Sequence, residues 1–99
     1  MSQAATRLGD KSAGHFPGFP PTPSVAGSPT VFINSKPAIR VGDAYETHLL
    51  PFPPIIPHDS VSAQGSKTVF CEGLALTRVG DDMSCSDKVA EGSPNVFVG

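Results

Sequence analysis

Tryptophan is absent from this chain, tyrosine occurs once, and only 16% of its 99 residues are charged. That is an unusual composition for an enzyme of this size. The formal charge of −2 includes no basic excess, and nothing interleaves aromatics with Lys or Arg. Electrostatic binding to nucleic acid or to anionic membranes is therefore not expected. No apolar run approaches the length of a membrane span, and Met1-Ser2-Gln3-Ala4-Ala5-Thr6-Arg7 lacks the apolar stretch of a secretory leader. Synthesis in a reducing cytosol is expected, with export by a route that needs no cleavable signal left open. There, the two cysteines are expected to be packed or metal-bound rather than joined.

What is abundant is proline and glycine, 11 and 10 residues. Conventional helices and a large core are not expected, and so short a chain buries a modest share of its surface. One domain over residues 1–99 is expected.

A phrase recurs along the chain. Gly27-Ser28-Pro29-Thr30-Val31-Phe32-Ile33 leads into Arg40-Val41-Gly42-Asp43, and Gly65-Ser66-Lys67-Thr68-Val69-Phe70-Cys71 leads, at the same offset, into Arg78-Val79-Gly80-Asp81. The chain opens part-way through the unit at Arg7-Leu8-Gly9-Asp10 and closes part-way through it at Gly92-Ser93-Pro94-Asn95-Val96-Phe97-Val98. Joining the two ends completes a third copy, so the repeats predict three units in a ring. Each unit reads as a β-hairpin. Thr30–Ile33 and Ala38–Val41 are the expected strands, with Asn34-Ser35-Lys36-Pro37 as the turn and Glu72-Gly73 at the place of Asn34-Ser35 in the second copy. Residues 11–26, 44–64 and 82–91 read as loops, the first two stiffened by proline. Loops this long count against a compact fold unless something staples them.

The metal-competent side chains suggest such a staple. His15 lies five residues past Asp10, His48 five past Asp43, and Cys85 four past Asp81. Threefold repetition brings these positions toward a common axis, and His58 from the long second loop completes a set of four. Three imidazoles and a thiolate suit a closed tetrahedral zinc site, which can contribute about 10–16 kcal/mol of apparent folding free energy. The competing reading is unrelated loop residues solvated by water. Cys71 aligns with Ile33 inside a strand and is expected to pack as a small hydrophobe, with a Cys71–Cys85 disulfide as the alternative. Arg-x-Gly-Asp reads as a capped turn, Asp bonding the backbone and Gly supplying the strained geometry. No catalytic base or nucleophile stands at a consistent spacing from it.

The segments Gly27–Asn34 and Pro37–Asp43 closely resemble the PAAR-repeat proteins. The literal Pro-Ala-Ala-Arg is missing; its places hold Ala4-Ala5-Thr6-Arg7, Pro37-Ala38-Ile39-Arg40 and Ala75-Leu76-Thr77-Arg78, while the flanking pattern is kept. The likeness covers nearly the whole chain with no added domain at either end, so any effector is expected to attach non-covalently. The resemblance implies an all-β cone of short hairpins with pseudo-threefold symmetry. It implies one structural zinc near the apex on His15, His48, His58 and Cys85. It further implies a non-catalytic tip on the homotrimeric β-helical spike of a type VI secretion system or contractile phage tail, one monomer per trimer, in transient contact with a target membrane. Such a protein is cytoplasmic before firing and is then delivered outside on the spike. An adaptor recruiting effector proteins is the alternative, and a zinc hydrolase using Glu46 or Asp59 is a third reading.

Overall fold

The computed structural model describes residues 2–99; Met1, the first residue of the leader comparison, lies outside them. Among the described residues eight short strands are formed: β1 (Gln3–Ala4), β2 (Phe32–Ile33), β3 (Lys36–Pro37), β4 (Ala44–Leu49), β5 (Pro57–Val61), β6 (Phe70–Cys71), β7 (Leu74–Ala75) and β8 (Phe97–Val98). They make four antiparallel pairs, β1–β8, β2–β3, β4–β5 and β6–β7. Among the described residues there is no helix. The body is an all-β cone of hairpins measuring 41 × 27 × 21 Å.

Three of the pairs are the three repeat units. In the third, Gln3 faces Val98 and Ala4 faces Phe97, so the two ends of the chain close the unit that the sequence leaves open. The backbone bonds reveal the axis. The Thr6 amide donates to the Thr77 carbonyl (3.1 Å), Thr77 to Ile39 (2.8 Å), and Ile39 back to Thr6 (3.1 Å). A second ring runs from Leu8 to Pro37, Val41 to Ala75 and Val79 to Ala4, at 2.8, 2.9 and 2.8 Å. Each repeat thus donates to the next until the circle closes, which is what a threefold axis demands. Thr6, Ile39 and Thr77 are fully buried. Around them pack Ala5, Ile33, Ala38, Cys71 and Leu76, with Val31, Val69, Val96 and Val98. Cys71 sits in this core, and burial pushes its thiol pKa up.

The hairpin turns clasp the neighbouring unit. Ser93 Oγ donates to Asn34 Oδ1 at 2.6 Å, Ser28 Oγ donates to Glu72 at 2.9 Å, and Ser66 Oγ donates to the Gly99 carbonyl. Each Arg-x-Gly-Asp is a lock of its own. Asp43 accepts from the Arg40 amide (2.8 Å), Nε (3.0 Å) and a terminal guanidinium nitrogen (2.9 Å), and Asp10 and Asp81 repeat the pattern with Arg7 and Arg78. Gly9, Gly42 and Gly80 turn with φ of 90°, 97° and 94°, a region that glycine enters at little cost. The phrase is a structural turn.

Two expectations are corrected. The turn is two residues, Asn34-Ser35, both at positive φ, and Lys36-Pro37 belong to the second strand. Left-handed geometry at both central positions matches the twist of a tight hairpin, so the strands pair two residues earlier than their β-rich runs suggest. Residues 44–64 also are not a loop throughout: β4 and β5 are the longest strands present. A register shift between Tyr45 and His48 breaks their alternation, and proline at Pro51, Pro53, Pro54 and Pro57 obscures the rest. At about 3.3 Å per residue, β4 carries the chain about 20 Å away from the ring.

Candidate functional site

That outgoing hairpin delivers His48 and His58 to the same place, as directly facing residues of β4 and β5. His15 arrives from residues 11–26, whose loop is tied by His15↔Phe19 bonds: the Phe19 amide donates to the His15 carbonyl (2.9 Å) and His15 donates back (3.0 Å). Gly14 precedes it at φ 83°, where a Cβ would stand 2.7 Å from the Phe19 carbonyl oxygen, so only glycine fits. Cys85 comes from residues 82–91 and packs beside Tyr45, Met83 and Val89.

His15, His48 and Cys85 each present one ligand atom within 4.8 Å of the other two, close enough to hold a metal ion. His15 Nε2 lies 3.3 Å from His48 Nε2 and 3.2 Å from His58 Nδ1. His58 is thus drawn in through His15, and it is not part of the mutually close trio. A tetrahedral ion about 2.0–2.1 Å from two nitrogens holds them about 3.3 Å apart, so these spacings leave room for an ion between the rings.

The tautomers sharpen the fit. His48 Nδ1 stands 2.8 Å from the Pro20 carbonyl, and His15 Nδ1 stands 3.0 Å from the Phe16 carbonyl. A carbonyl only accepts, so both Nδ1 atoms donate, and both Nε2 atoms carry lone pairs. Two lone pairs facing each other at 3.3 Å repel in the neutral state, and a cation between them removes the conflict. Carbonyl partners on the outer nitrogen are the support that metal-ligating imidazoles need. Phe19 closes the floor, with its ring 4.7, 5.0 and 4.5 Å from those of His15, His48 and His58.

The trio contains no carboxylate. Asp59 bonds the Thr47 hydroxyl on an exposed surface, and Glu46 is likewise exposed. Sequence reasoning overlooked Phe19. Its Phe-Pro-Gly-Phe setting, one to four residues past His15, was the available signal.

Known proteins add to this geometry. Residues 57–99, from β5 to the end, match the family model described as PAAR motif. The chain carries a PAAR motif. Two curated relatives from strains of Pseudomonas aeruginosa, the NAD(P)(+) glycohydrolase toxin Tse6 and the (p)ppApp synthetase toxin Tas1, are each 33% identical over 78 residues. The match covers 76% of this chain and 18% of each relative. The chain therefore spans less than a fifth of the length of those proteins.

The three repeat units hold a second feature that sequence reasoning missed. Phe32, Phe70 and Phe97 occupy the same place in the three units and are exposed to the same degree, 56%, 57% and 56%. Each follows a partly buried valine, Val31, Val69 or Val96. The signal was the thrice-repeated Val-Phe pair: in a strand neighbouring side chains face opposite ways, so a packed valine implies an outward phenylalanine.

Proposed function

We propose that this PAAR chain is one domain over residues 1–99 and the non-catalytic tip of a homotrimeric β-helical spike in a type VI secretion system or contractile phage tail. The observation that carries the reading is the aromatic triad. A monomer that exposes three equivalent phenylalanines about a threefold axis matches a partner with three equivalent subunits. An exposed apolar patch of this kind marks an interaction surface, and the blunt end of a β-helix has strand edges that need covering. One monomer then serves one trimer. One zinc ion on His15, His48, His58 and Cys85 locks the opposite end. The chain is cytoplasmic until firing and leaves the cell on the spike.

Co-purification with a candidate spike tests this: one chain per trimer is expected, and Phe32→Ser/Phe70→Ser/Phe97→Ser is expected to abolish the complex while keeping the bound metal. A wild-type complex with three chains per trimer overturns the reading. Recruitment of effector proteins is the second reading. It is favoured by the fact that both matched relatives are named as toxins, and pull-down from a secreting cell checks it.

A further inference from the structure

Along β4, Tyr45 lies between Asp43 of the ring and His48 of the ligand trio, and its surroundings are polar. The Tyr45 hydroxyl, the Ser60 hydroxyl and Asp87 Oδ2 are buried and hydrogen-bonded to no described residue. The three residues are 4%, 4% and 2% exposed. Buried polar groups are nearly always paired, so three orphans in so small a body need a cause.

They share one level of the threefold pattern. Ser12, Tyr45 and Met83 each lie two residues past the aspartate of a lock, Asp10, Asp43 or Asp81. The Ser12 amide donates to the Thr22 carbonyl (2.9 Å), Tyr45 faces Ser60 across β4–β5, and the Met83 amide donates to the Asp87 carbonyl (3.1 Å). Thr22, Ser60 and Asp87 are therefore equivalent places. Directly facing residues of an antiparallel pair project to one side, so Tyr45 and Ser60 both point inward. Tyr45 packs on Met83, which brings it beside Asp87. Burial raises the Tyr45 pKa, and the charges of Asp10 and then Asp87 raise it further, as their closeness requires. Thr22 spends its hydroxyl on the Glu46 carbonyl; Ser60 has no such bond. Nor does a protein cation serve Asp87. Arg7, Arg40 and Arg78 are held by Asp10, Asp43 and Asp81, and Lys88 by Asp82. Only Asp87 Oδ1 is used, by the Lys88 amide at 2.7 Å.

We propose that one internal water molecule is bound here, held by the Tyr45 hydroxyl, the Ser60 hydroxyl and Asp87 Oδ2. A water needs about two to four polar partners, and three are on offer. Both hydroxyls can donate to it, and it can donate to the carboxylate. A hard cation such as calcium takes about six to eight oxygens, more than this set supplies, and no pocket of ligand size opens among the described residues. The water ties residues 82–91, which carry Cys85, to the hairpin that carries His48 and His58. That tie needs neither metal nor spike, so it goes beyond the tip reading and stands on the isolated chain.

A high-resolution crystal structure locates such a water, and oxygen-17 relaxation dispersion counts the waters held longer than the chain takes to tumble. Wild type is expected to show one water about 2.5–3.0 Å from each of the three oxygens. Tyr45→Phe/Ser60→Ala leaves a single partner, too few to retain it, and is expected to lose one long-lived water per chain. Should the double variant fail to fold, the wild-type density decides alone. A direct Tyr45–Asp87 hydrogen bond with nothing between, an ion in place of the water, or the same count in wild type and the double variant overturns the proposal. None of these outcomes bears on spike binding, and failure to bind a spike leaves the water count standing.

Discussion

Asp81 and Asp82 are neighbours in sequence and opposites in environment, which makes them a sharp test of what holds the repeats together. The Asp81 side chain is 2% exposed, and its Arg78 partner 12%. Its two oxygens take three bonds, from the Arg78 amide at 2.8 Å, Nε at 3.0 Å and a terminal nitrogen at 2.9 Å. Asp81→Asn removes the charge and turns an amide group toward a guanidinium that can only donate. A poorly hydrated cation is left without its counter-ion. Breaking such a pair costs about 3–5 kcal/mol, and we take the lower figure because Arg78 keeps some solvent. For a domain of this length that is about 12–24 °C in melting temperature. Asp82 pairs with Lys88 across a surface where the side chains are 57% and 62% exposed. Screened pairs of that kind contribute about 0–1 kcal/mol, so Asp82→Asn is expected to shift the melt by a few degrees at most. Differential scanning calorimetry at one fixed zinc concentration compares the two, since ligand binding itself moves the midpoint. Equal shifts for the two variants refute the view that the Arg-x-Gly-Asp turn is a buried lock.

Other outcomes follow from the same contacts. The Glu72 carboxyl is held below its ordinary value of 4.5 by the Thr30 hydroxyl, then by Ser28 and Arg40. A depressed carboxyl contributes stability that is complete above the unfolded value and lost as pH falls through the folded one. Acid below about pH 4.5 is thus expected to loosen the clasp between the first two repeats, and Glu72→Gln is expected to flatten that part of the stability–pH curve; an unchanged curve contradicts the clasp. Cys71 is buried and its thiol pKa is raised by desolvation, while Cys85 is half-buried at the ligand trio. With a chelator present, iodoacetamide is expected to modify one thiol per chain, Cys85, by mass spectrometry; modification of both before unfolding argues against the core packing.

The repeats made the ring legible because the phrase recurs with its Arg and Asp in register, and a ring of backbone bonds through Thr6, Ile39 and Thr77 is its physical counterpart. The place of His15, His48 and Cys85 after each Gly-Asp could be read for the same reason. The β4–β5 hairpin could not. Its alternation is broken by the register shift between Tyr45 and His48, and four prolines from Pro51 to Pro57, the last of them opening β5, suggest a loop. The turn at Asn34-Ser35 was misjudged because β-propensity favours Ala38-Ile39-Arg40-Val41, whereas pairing is decided by which two residues can take positive φ. The Phe32, Phe70 and Phe97 triad depends on strand alternation across three copies, a pattern that shows only once the valines are known to face inward.

In the proposed arrangement three near-copies converge and a single ion fixes one end. X-ray absorption at the zinc edge measures it most directly, on wild type beside Cys85→Ser and His58→Ala. The account predicts one zinc per chain with three nitrogens at about 2.0–2.1 Å and one sulfur at about 2.3 Å. The sulfur shell is lost in the first variant and one nitrogen in the second. A shell containing bound water in the wild type, or a spectrum unchanged by either substitution, contradicts it.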